Sequence, residues 1–540
     1  MHLTRLIIPA IQNSPVLKAY INKQTWAVCV NLSERIDFLP FKGRALWGDV
    51  QGPRLGLWPG TPYTDTASVI IAILSPRQDQ YEKISSVIIV YHFYGGTMNY
   101  ILYSETADHN LTRKLGCAEY SYYFVRESFR KLLESQARTF IVTDPEKEVD
   151  AIYDNCKANG EKCVFLSFAP PHRSFLALRC PTIPIFAWEF DTIPSEGWNS
   201  DPRNDWRRVL AQFGCAITHS AFSAQVIRDA MPPNFPVTSI PAPIWEGVRT
   251  TAESYLDNSD LELPVRCFLD TRLSRTLVSP DKPKRSLSHR LRRKLKSFSR
   301  HEPPVETIRL SKEEVIYMSV FNPFDGRKNW QDMLSAFVMA LAKCPNATLV
   351  FKLVHFNSSF VLDEIRTMLA RFPLFQCRVV VIGDFLDESD YHQLIALSKF
   401  VVNTSLGEGQ CLPLMEGMSW GKPALAPRHT SMSEYIDKST GFVVRTSIEP
   451  CSWPHDQRAA VRAYRHRVDW QSVACAFTES FKMLTTDPRS YERMSLQAME
   501  SQRAFCSEEP AMKKLQEVVN LALAEQDRRK DFVPEAVFAS

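Results

Sequence analysis

The feature that most constrains the fold is an alternation of short apolar runs with helix-like stretches in the second half of the chain. We predict that the runs are buried strands, at Val315–Ser319, Ala347–Val354, Val379–Ile382, Phe400–Asn403, Ala424–Ala426 and Gly441–Val444. Helical patterns lie between them, at Trp330–Leu341, Val361–Arg371, Ser389–Leu397, Leu412–Trp420 and Met432–Tyr435. Strands and helices that alternate in this way build βαβ units, which predicts a doubly wound α/β fold.

The first half of the chain carries a second block of the same kind. Its predicted strands are Val69–Leu74, Val87–Tyr91, Cys163–Phe168, Ile183–Ala187 and Ala216–Thr218. Two blocks in 540 residues predict two Rossmann-like domains, which we place at residues 1–250 and 307–455. The remainder, 456–540, reads as helices at Arg462–Trp470, Val473–Leu484, Ser490–Ala504 and Pro510–Glu525.

A segment of different composition, residues 251–306, separates the two blocks. It opens acidic and polar, and between positions 282 and 300 it holds basic residues and no acid. Its Pro and Ser content predicts a mobile insertion. The basic run is either a solvated surface or a contact with an anionic membrane surface. A nucleic-acid partner is not expected, because no recognised nucleic-acid motif accompanies the run.

Cysteine usage and hydropathy bear on where the chain works. None of the 13 cysteines forms a Cys-x-x-Cys pair, which argues against zinc ribbons and thioredoxin-like sites. They stand singly, many of them in apolar runs, as free thiols do in a reducing compartment. The sequence shows no run of about 18 apolar residues and no good signal peptide. We therefore expect a cytoplasmic protein, which is peripheral to a membrane if the run 282–300 contacts anionic headgroups and is not merely solvated.

One segment of the second block carries clear chemistry. The strand at Phe400–Asn403 runs into a loop with Gly407 and Gly409, and a helix follows with Pro413 in its first turn. Backbone N–H groups at such a helix start favour an anion, here a diphosphate. Glu408 and Glu416 would repel phosphate, but ionised carboxylates accept hydrogen bonds from sugar hydroxyls. This combination indicates a nucleotide-sugar site, and the alternative is a capped helix with two exposed glutamates.

The motifs of this segment resemble those of the group-1 (family 4) glycosyltransferases. They are Ser405-x-x-Glu408-Gly409, Leu412-Pro413, Glu416-Gly417-Met418 and Gly421-Lys422-Pro423-Ala424. The resemblance implies the GT-B fold, in which two Rossmann-like domains face each other across a cleft, here with C-terminal helices. It implies that Glu408 contacts the transferred hexose and Glu416 the ribose. It also implies that the donor is bound by Gly407, Gly409, Gln410, Cys411 and Leu412, largely through their backbone.

A second motif of the same family lies at Met318–Trp330. Members carry a basic residue just before this helix that neutralises the diphosphate leaving group. Lys328 is the first candidate for that role and Arg327 the second. Many members have an arginine about six positions earlier, where this chain has Phe321 and Asn322.

The N-terminal domain of such enzymes usually binds the acceptor. Many members have a histidine where Trp188 and Glu189 stand here, so Glu189 becomes the candidate for a polar group near the anomeric centre. The alternative role for Glu189 is that of partner to a nearby arginine. Asp191 and His172 are alternative candidates for the polar group.

Four weaker candidates remain. Lys352 could point into the cleft or sit on an edge, and His429 could border the donor or be structural. Gly95 and Gly96 follow a strand, where family members often place a loop that faces the donor phosphate.

The resemblance implies a hexosyltransferase, for example a mannosyl- or glucosyltransferase, that acts with retention on a growing glycan or lipid-linked polysaccharide. No Asp-x-Asp motif stands at a credible strand end, so neither a metal nor another cofactor is expected. One alternative is a non-catalytic GT-B protein that binds a sugar nucleotide or a glycan. Another is a sugar-nucleotide epimerase or dehydrogenase, which would need a Gly-x-Gly-x-x-Gly turn that the chain lacks.

Overall fold

The computed structural model describes four strands near the N-terminus and most of the chain from residue 98 to residue 531. The described ranges are 20–22, 25–31, 68–73, 86–92, 98–117, 119–255, 259–273, 304–355 and 357–531. The chain divides into a first unit, Met1–Thr97, and a second unit, Met98–Ser540. Gly95, Gly96 and the basic run 282–300 lie outside the described residues.

The four strands of the first unit form one antiparallel sheet in the order β1-β2-β4-β3. They are β1 Tyr20–Asn22, β2 Thr25–Asn31, β3 Ser68–Ile73 and β4 Ser86–His92. The sequence predicted Val69–Leu74 and Val87–Tyr91 to be strands of a parallel sheet, and this was wrong, because β3 and β4 pair antiparallel. An apolar run of strand length reads the same in either kind of sheet, so the pattern alone could not decide the pairing.

The second unit begins with a six-stranded parallel sheet in the order β10-β9-β8-β7-β5-β6. Its strands are β5 Met98–Ser104, β6 Arg138–Ile141, β7 Lys162–Phe168, β8 Thr182–Phe186, β9 Ala216–Thr218 and β10 Val237–Ser239. Its helices are α1 Tyr120–Glu134, α2 Pro145–Ala158, α3 Trp206–Phe213, α4 Ala221–Ala230 and α5 Trp245–Glu253. We call this part the N half, and β7, β8 and β9 confirm three predicted strands.

A seven-stranded sheet follows in the order β12-β16-β15-β14-β17-β18-β19. Its strands are β12 Phe268–Asp270, β14 Val315–Phe321, β15 Ala347–Leu353, β16 Arg378–Ile382, β17 Phe400–Val402, β18 Ala424–Pro427 and β19 Gly441–Val444. Its helices are α6 Trp330–Leu341, α7 Ser359–Leu369, α8 Glu388–Leu397 and α9 Leu412–Ser419. We call this part the C half. All six strands predicted for it are present and parallel, and β12 adds an antiparallel edge.

Strand order in the C half determines where a ligand can bind. Without β12 the order reads 3-2-1-4-5-6 in chain sequence, and it reverses between β14 and β17. Doubly wound sheets bind ligands outside the carboxyl ends of the strands at such a reversal. The loops that leave β14 and β17 are those that carry Lys328 and Glu408. The topology therefore brings the two predicted motifs to one place.

Two short antiparallel pairs flank the C half. The strands β11 Leu261–Val265 and β13 Glu306–Leu310 pair with each other on either side of residues 266–305. The predicted insertion, 251–306, therefore has ordered flanks, including α5 and β12. The second pair is β20 Thr446–Ser452 with β21 Val461–Val468, and we call it the ribbon, with 453–460 as its tip. The predicted helix Arg462–Trp470 was wrong, because its residues up to Val468 alternate across a strand.

Three helices end the described chain, namely α10 Trp470–Thr486, α11 Pro488–Cys506 and α12 Glu508–Asp531. They match the three predicted helices that followed the misread one. Helix α12 returns to the N half, where Leu515, Val518 and Val519 are buried in the same apolar core as Phe168 and Ile185. Of the helices that the structure describes, none is long and apolar enough to cross a bilayer.

A buried charge network attaches the antiparallel edge strand to the sheet of the C half. Arg378 on β16 binds Asp270 on β12 (Nη2–Oδ2, 2.6 Å) and Glu314 (Nη1–Oε1, 3.0 Å). All three side chains are less than one tenth exposed. Buried charges are tolerated when each has a partner. Arg378 is the cation that pairs with Asp270, whereas Glu314 also pairs with Arg272 (Oε1–Nη1, 2.6 Å).

We predict that Arg378→Met destabilises the C half by about 3–5 kcal/mol, because it leaves two buried carboxylates with less compensation. Arg366→Met is the matched control, since Arg366 pairs with Asp363 at the surface and such pairs contribute at most about 1 kcal/mol. Urea denaturation followed by tryptophan fluorescence measures both variants. Equal losses of unfolding free energy in the two variants would show that the buried network contributes no more to stability than a surface ion pair does.

Candidate functional site

Glu408 lies at the centre of the site, and it is almost completely buried. Lys328 Nζ donates to its Oε1 at 2.7 Å, and the Ser405 hydroxyl donates to the same oxygen at 2.5 Å. Asn403 Nδ2 adds a third bond at 3.1 Å. Burial would raise the pKa of Glu408, but the charges of Lys328 and Arg327 together with these hydrogen bonds hold it at about 2. Glu408 is therefore ionised at neutral pH and acts only as a hydrogen-bond acceptor.

Lys328 reaches Glu408 from the opposite side of the strand reversal. It ends a short 3-10 helix, Gly326–Lys328, whose first turn is capped by Asp325. Burial alone would lower the pKa of Lys328, but the carboxylate of Glu408 raises it above its usual value. The ammonium group therefore stays charged in a half-buried position, next to the start of α9.

Arg327 points to the other half of the unit. Its guanidinium makes two hydrogen bonds to Asp325, with Nε–Oδ1 at 3.0 Å and Nη2–Oδ2 at 2.7 Å. It also forms an ion pair with Glu189, which follows β8 in the N half. Two carboxylates therefore neutralise Arg327, whereas Lys328 faces only one at hydrogen-bond distance. The alternative that Glu189 pairs with a nearby arginine matches this geometry.

The glycines of the loop let it pack closely against the end of β8. A Cβ atom on Gly409 would stand 2.7 Å from Ala187 Cβ, and one on Gly407 would stand 3.3 Å from the Glu189 carbonyl oxygen. Neither distance accommodates a larger residue without a shift. Gln410 adds a direct link, because its Oε1 accepts from the Ala242 backbone N–H at 2.7 Å. We call residues 403–411 the donor loop.

Helix α9 begins where the sequence predicted, but its N-cap is unusual. Cys411 holds that position with φ of 66°, in the left-handed region that favours glycine. Its carbonyl oxygen accepts from the backbone N–H groups of Leu414 and Met415 at 3.1 Å. Leu412 and Pro413 form the first turn, so the start of α9 adjoins Lys328 and Glu408.

Glu416 lies one turn into α9 and is only partly covered. The Tyr391 hydroxyl on α8 donates to its Oε2 at 2.7 Å. Burial raises the pKa of Glu416 to about 7, although the hydrogen bond from Tyr391 opposes this, so the carboxyl titrates near neutrality. Glu408 and Glu416 therefore share a helix start but differ in charge state.

Two of the weaker candidates, His429 and Lys352, bond to backbone carbonyl groups of the protein. His429 is buried and stacks on His466, with ring centroids 4.3 Å apart, and its Nε2 lies 3.0 Å from the Ser405 carbonyl oxygen. Burial and His466 lower its pKa to about 3, so the ring is neutral. Lys352 is buried on β15, where Nζ donates to the Leu353 carbonyl oxygen at 2.9 Å.

The two N-half alternatives also have other partners. The His172 ring stacks on His455 at 4.6 Å and accepts from Trp206 Nε1 at 3.2 Å. Asp191 accepts from the Tyr464 backbone N–H at 2.7 Å. The described contacts thus bring together Glu408, Lys328, Arg327 and Glu189, but they place His172 and Asp191 against the ribbon and its tip.

Some side chains of the site had little or no signal in the sequence. Ser405 belongs to the quoted motif, but nothing indicated its bond to Glu408. Asn403 and Tyr391 lie at the end of a predicted strand and on a predicted helix, where polar side chains are common. Among the described residues no group of three or more His, Cys, Asp or Glu side chains could hold a metal ion.

Asn322 stands in the region where many members of the resembling family have an arginine. Its Nδ2 donates to the Gly116 carbonyl oxygen of the N half at 2.8 Å. The position therefore links the two halves in this structure and provides no positive charge. Lys328 and Arg327 are the cations that the contacts place beside Glu408 and Glu189.

Comparisons with known proteins bear on the C half most directly. Residues 313–452 match the family model described as Glycosyl transferases group 1. A comparison with curated protein sequences gave no match.

Three solved structures with similarity to this chain share at most 14% sequence identity with it. The pneumococcal O-GlcNAc transferase GtfA, solved with UDP and GlcNAc, is 11% identical, with TM-score 0.39. The alignment covers 69% of this chain and 60% of that one. Anabaena HepE, solved with UDP and glucose, is 14% identical over 78% of this chain and 99% of its own, with TM-score 0.43. Sucrose-phosphate synthase from Thermosynechococcus elongatus is 13% identical over 79% and 100%, with TM-score 0.42.

The two parallel sheets, the C-terminal helices and the matched segment confirm the predicted fold class. The strand reversal at β14 and β17 lies inside the matched segment, with Glu408 and Lys328 on its two loops. Residues 313–452 are thus similar to the Glycosyl transferases group 1 family, in a chain that has the GT-B fold.

Proposed function

We propose that the protein is a retaining glycosyltransferase that moves a hexose from a nucleotide-sugar donor to a hydroxyl acceptor. The observation that carries the proposal is the ion pair between the buried Glu408 and the half-buried Lys328 at the strand reversal, beside the start of α9. An ionised carboxylate there accepts hydrogen bonds from sugar hydroxyls, and the lysine offers positive charge to a diphosphate. The matched family segment includes both residues.

In this proposal the site residues have separate roles. Glu408 holds the hexose, Glu416 holds the ribose, and the backbone of residues 409–412, at the start of α9, receives the diphosphate. Lys328 is the cation for the leaving group, because Arg327 is already neutralised by Asp325 and Glu189. Positioning and charge neutralisation then provide most of the rate acceleration, and no metal ion is invoked.

The anomeric step itself needs little proton transfer from the protein. We propose a front-face displacement, in which the C–O bond to the diphosphate breaks and the acceptor oxygen bonds to the same face. The leaving phosphate oxygen receives the acceptor's proton. Glu408 cannot donate a proton at neutral pH, because its pKa is held near 2. Glu189, beside Arg327, is the polar group we place on the acceptor side.

A second candidate function is non-catalytic binding of a sugar nucleotide or glycan. Asn322 favours it, because an amide that links the halves stands where many family members have a cation. The two functions differ in turnover and agree in nucleotide binding. A panel of nucleotide sugars, assayed for donor hydrolysis and for transfer, therefore separates them.

We predict that Glu408→Gln lowers transfer and donor hydrolysis by about 100-fold or more, because the hexose loses an ionised acceptor. Nucleotide affinity, measured by calorimetry with UDP as a first probe, should change only a few-fold. Glu364→Gln, an exposed glutamate on α7, is the matched control and should match the unaltered protein. Full turnover by Glu408→Gln on the true donor would refute the site assignment.

We predict that nucleotide binding weakens by about tenfold between pH 8 and pH 6 because Glu416 gains a proton. Burial raises the pKa of Glu416 to about 7, and only its ionised form is a strong acceptor for ribose hydroxyls. Glu416→Gln should bind more weakly at pH 8 and lose this part of the pH dependence. The phosphate's own titration is common to both proteins. Parallel pH profiles for the two would contradict the role of Glu416.

We further propose that the acceptor is a growing glycan or a lipid-linked polysaccharide, and that the chain works in the cytoplasm at a membrane surface. The support is the basic run 282–300, together with free thiols at all cysteines that the structure describes. We predict that the full chain floats with vesicles of anionic phospholipid at low salt, and that deletion of 282–300 abolishes this. Equal flotation of both chains would remove the proposed contact.

A further inference from the structure

The ribbon is not required by the chemistry described so far, yet it contacts both sides of the site. Its strand β21 pairs with β20 along one edge only. Pro450 lies opposite Tyr464 and has no N–H group, so these two residues cannot exchange a pair of backbone hydrogen bonds. Tyr464 and every second residue of β21 therefore direct their backbone groups to the edge that faces away from β20. A free strand edge exposes N–H and C=O groups that need partners. Residues Arg462, Tyr464 and His466 find those partners outside the ribbon.

The first set of partners belongs to the segment after β8, residues 189–196, which we call the acceptor-side segment. The Tyr464 backbone N–H donates to Asp191 Oδ1 at 2.7 Å. The Thr192 hydroxyl donates to the Arg462 carbonyl oxygen at 2.7 Å. The same hydroxyl accepts from Trp453 Nε1 at 3.1 Å. These bonds lie two and three residues beyond Glu189.

The second partner belongs to the donor loop. Two residues further along β21, the His466 backbone N–H donates to the Leu406 carbonyl oxygen at 2.8 Å. Leu406 lies two residues before Glu408. The His466 ring stacks on His429, which itself lies within hydrogen-bond distance of the Ser405 carbonyl oxygen. One strand edge is thus shared between the acceptor-side segment and the donor loop.

The tip of the ribbon is anchored in the core of the N half. Trp453 is 2% exposed and belongs to that core. His455 stacks on His172 at 4.6 Å and on Trp206 at 5.5 Å. Stacked aromatic rings buried in this way leave the tip little freedom to move. The far end of the ribbon is therefore fixed, so the edge of β21 is a rigid support.

Charge pairs add to the attachment. Glu196 of the acceptor-side segment binds Arg462 (Oε1–Nε, 2.6 Å) and Arg458 (Oε2–Nη1, 3.0 Å). These side chains are partly exposed, so the pairs contribute less than the backbone bonds. Their effect is to hold the acceptor-side segment in register along β21.

We propose that the ribbon is the positioning element of the site, with Thr192 and Asp191 as positioning residues that keep Glu189 in register with the donor loop. The proposal rests on the proposed function for the meaning of Glu189 and Glu408. The structural part of the proposal does not depend on that function. If the acceptor-side segment becomes more mobile, the donor loop must become more mobile too, because both are bound to β21. A mere stabilising contact would not transmit the effect to residues 403–411.

The test is Thr192→Val, which removes both hydroxyl bonds with little change of shape. Thr192 is an exposed residue, so its replacement removes no apolar side chain from the core, although Trp453 Nε1 loses its acceptor. Thr192→Ser keeps the hydroxyl and should rescue. Thr478→Val is the matched control, because the Thr478 hydroxyl bonds only within its own helix, to the Ala474 carbonyl oxygen at 3.1 Å. Asp191→Asn is a milder second variant in case Thr192→Val fails to fold.

Two readouts decide the proposal. In Thr192→Val, amide hydrogen exchange should become about tenfold faster at 189–192 and also in the donor loop, while Thr192→Ser and Thr478→Val leave both unchanged. With a working donor and acceptor, kcat should fall about tenfold while the nucleotide Kd stays within twofold. Asp191→Asn should shift both readouts in the same direction by about threefold.

Two results would overturn the proposal. Faster exchange confined to 189–192, with the donor loop unchanged, would show that β21 holds two independent contacts and would overturn the proposal. A lower melting temperature with unchanged kcat would do the same. If no nucleotide sugar is turned over by the unaltered chain, the proposed function fails, but the exchange experiment still decides the positioning role.

Discussion

The site depends on one ion pair, between the buried Glu408 and the half-buried Lys328. Each charge would be costly to bury alone, and the pair lies where the strand order of the C half brings the loops after β14 and β17 together. Ser405 and Asn403 complete the bonds of the carboxylate. The pair therefore fixes two loops before any ligand arrives. A ligand that binds there meets a preorganised arrangement of charge, which is the property that catalysis of group transfer requires.

The distribution of countercharges distinguishes two adjacent cations that look equivalent in the sequence. Arg327 is held by Asp325 and Glu189, so its positive charge is used within the protein and across its two halves. Lys328 faces only the single carboxylate of Glu408 at hydrogen-bond distance, and that carboxylate has two further hydrogen-bond donors. Arg327 thus joins the two halves, whereas Lys328 remains the better source of positive charge for an anion.

Much of the C half could be predicted from the sequence, because buried parallel strands are apolar runs and Gly and Pro mark the ends of α9. Phe400–Val402 and Leu412–Ser419 were found within about one residue. Pairings between distant loops could not be predicted, since Arg327–Glu189 and Tyr391–Glu416 depend on how the elements pack. Strand β21 was misread as part of a helix because Arg462, Tyr464 and Arg465 are polar or exposed, so the strand lacks a clear apolar alternation. Likewise, the pairing of β3 and β4 is not encoded in an apolar run.

Helix α12 has a consequence for how the chain acquires its structure. Its apolar side chains Leu515, Val518 and Val519 complete the core of the N half, and Trp453 of the ribbon lies in that same core. During synthesis, the first parallel sheet therefore emerges long before the last pieces that cover it. Contacts of such wide sequence separation form slowly, and exposed apolar surface persists meanwhile. The N half of the nascent chain therefore leaves part of its apolar core uncovered until α12 has been synthesised.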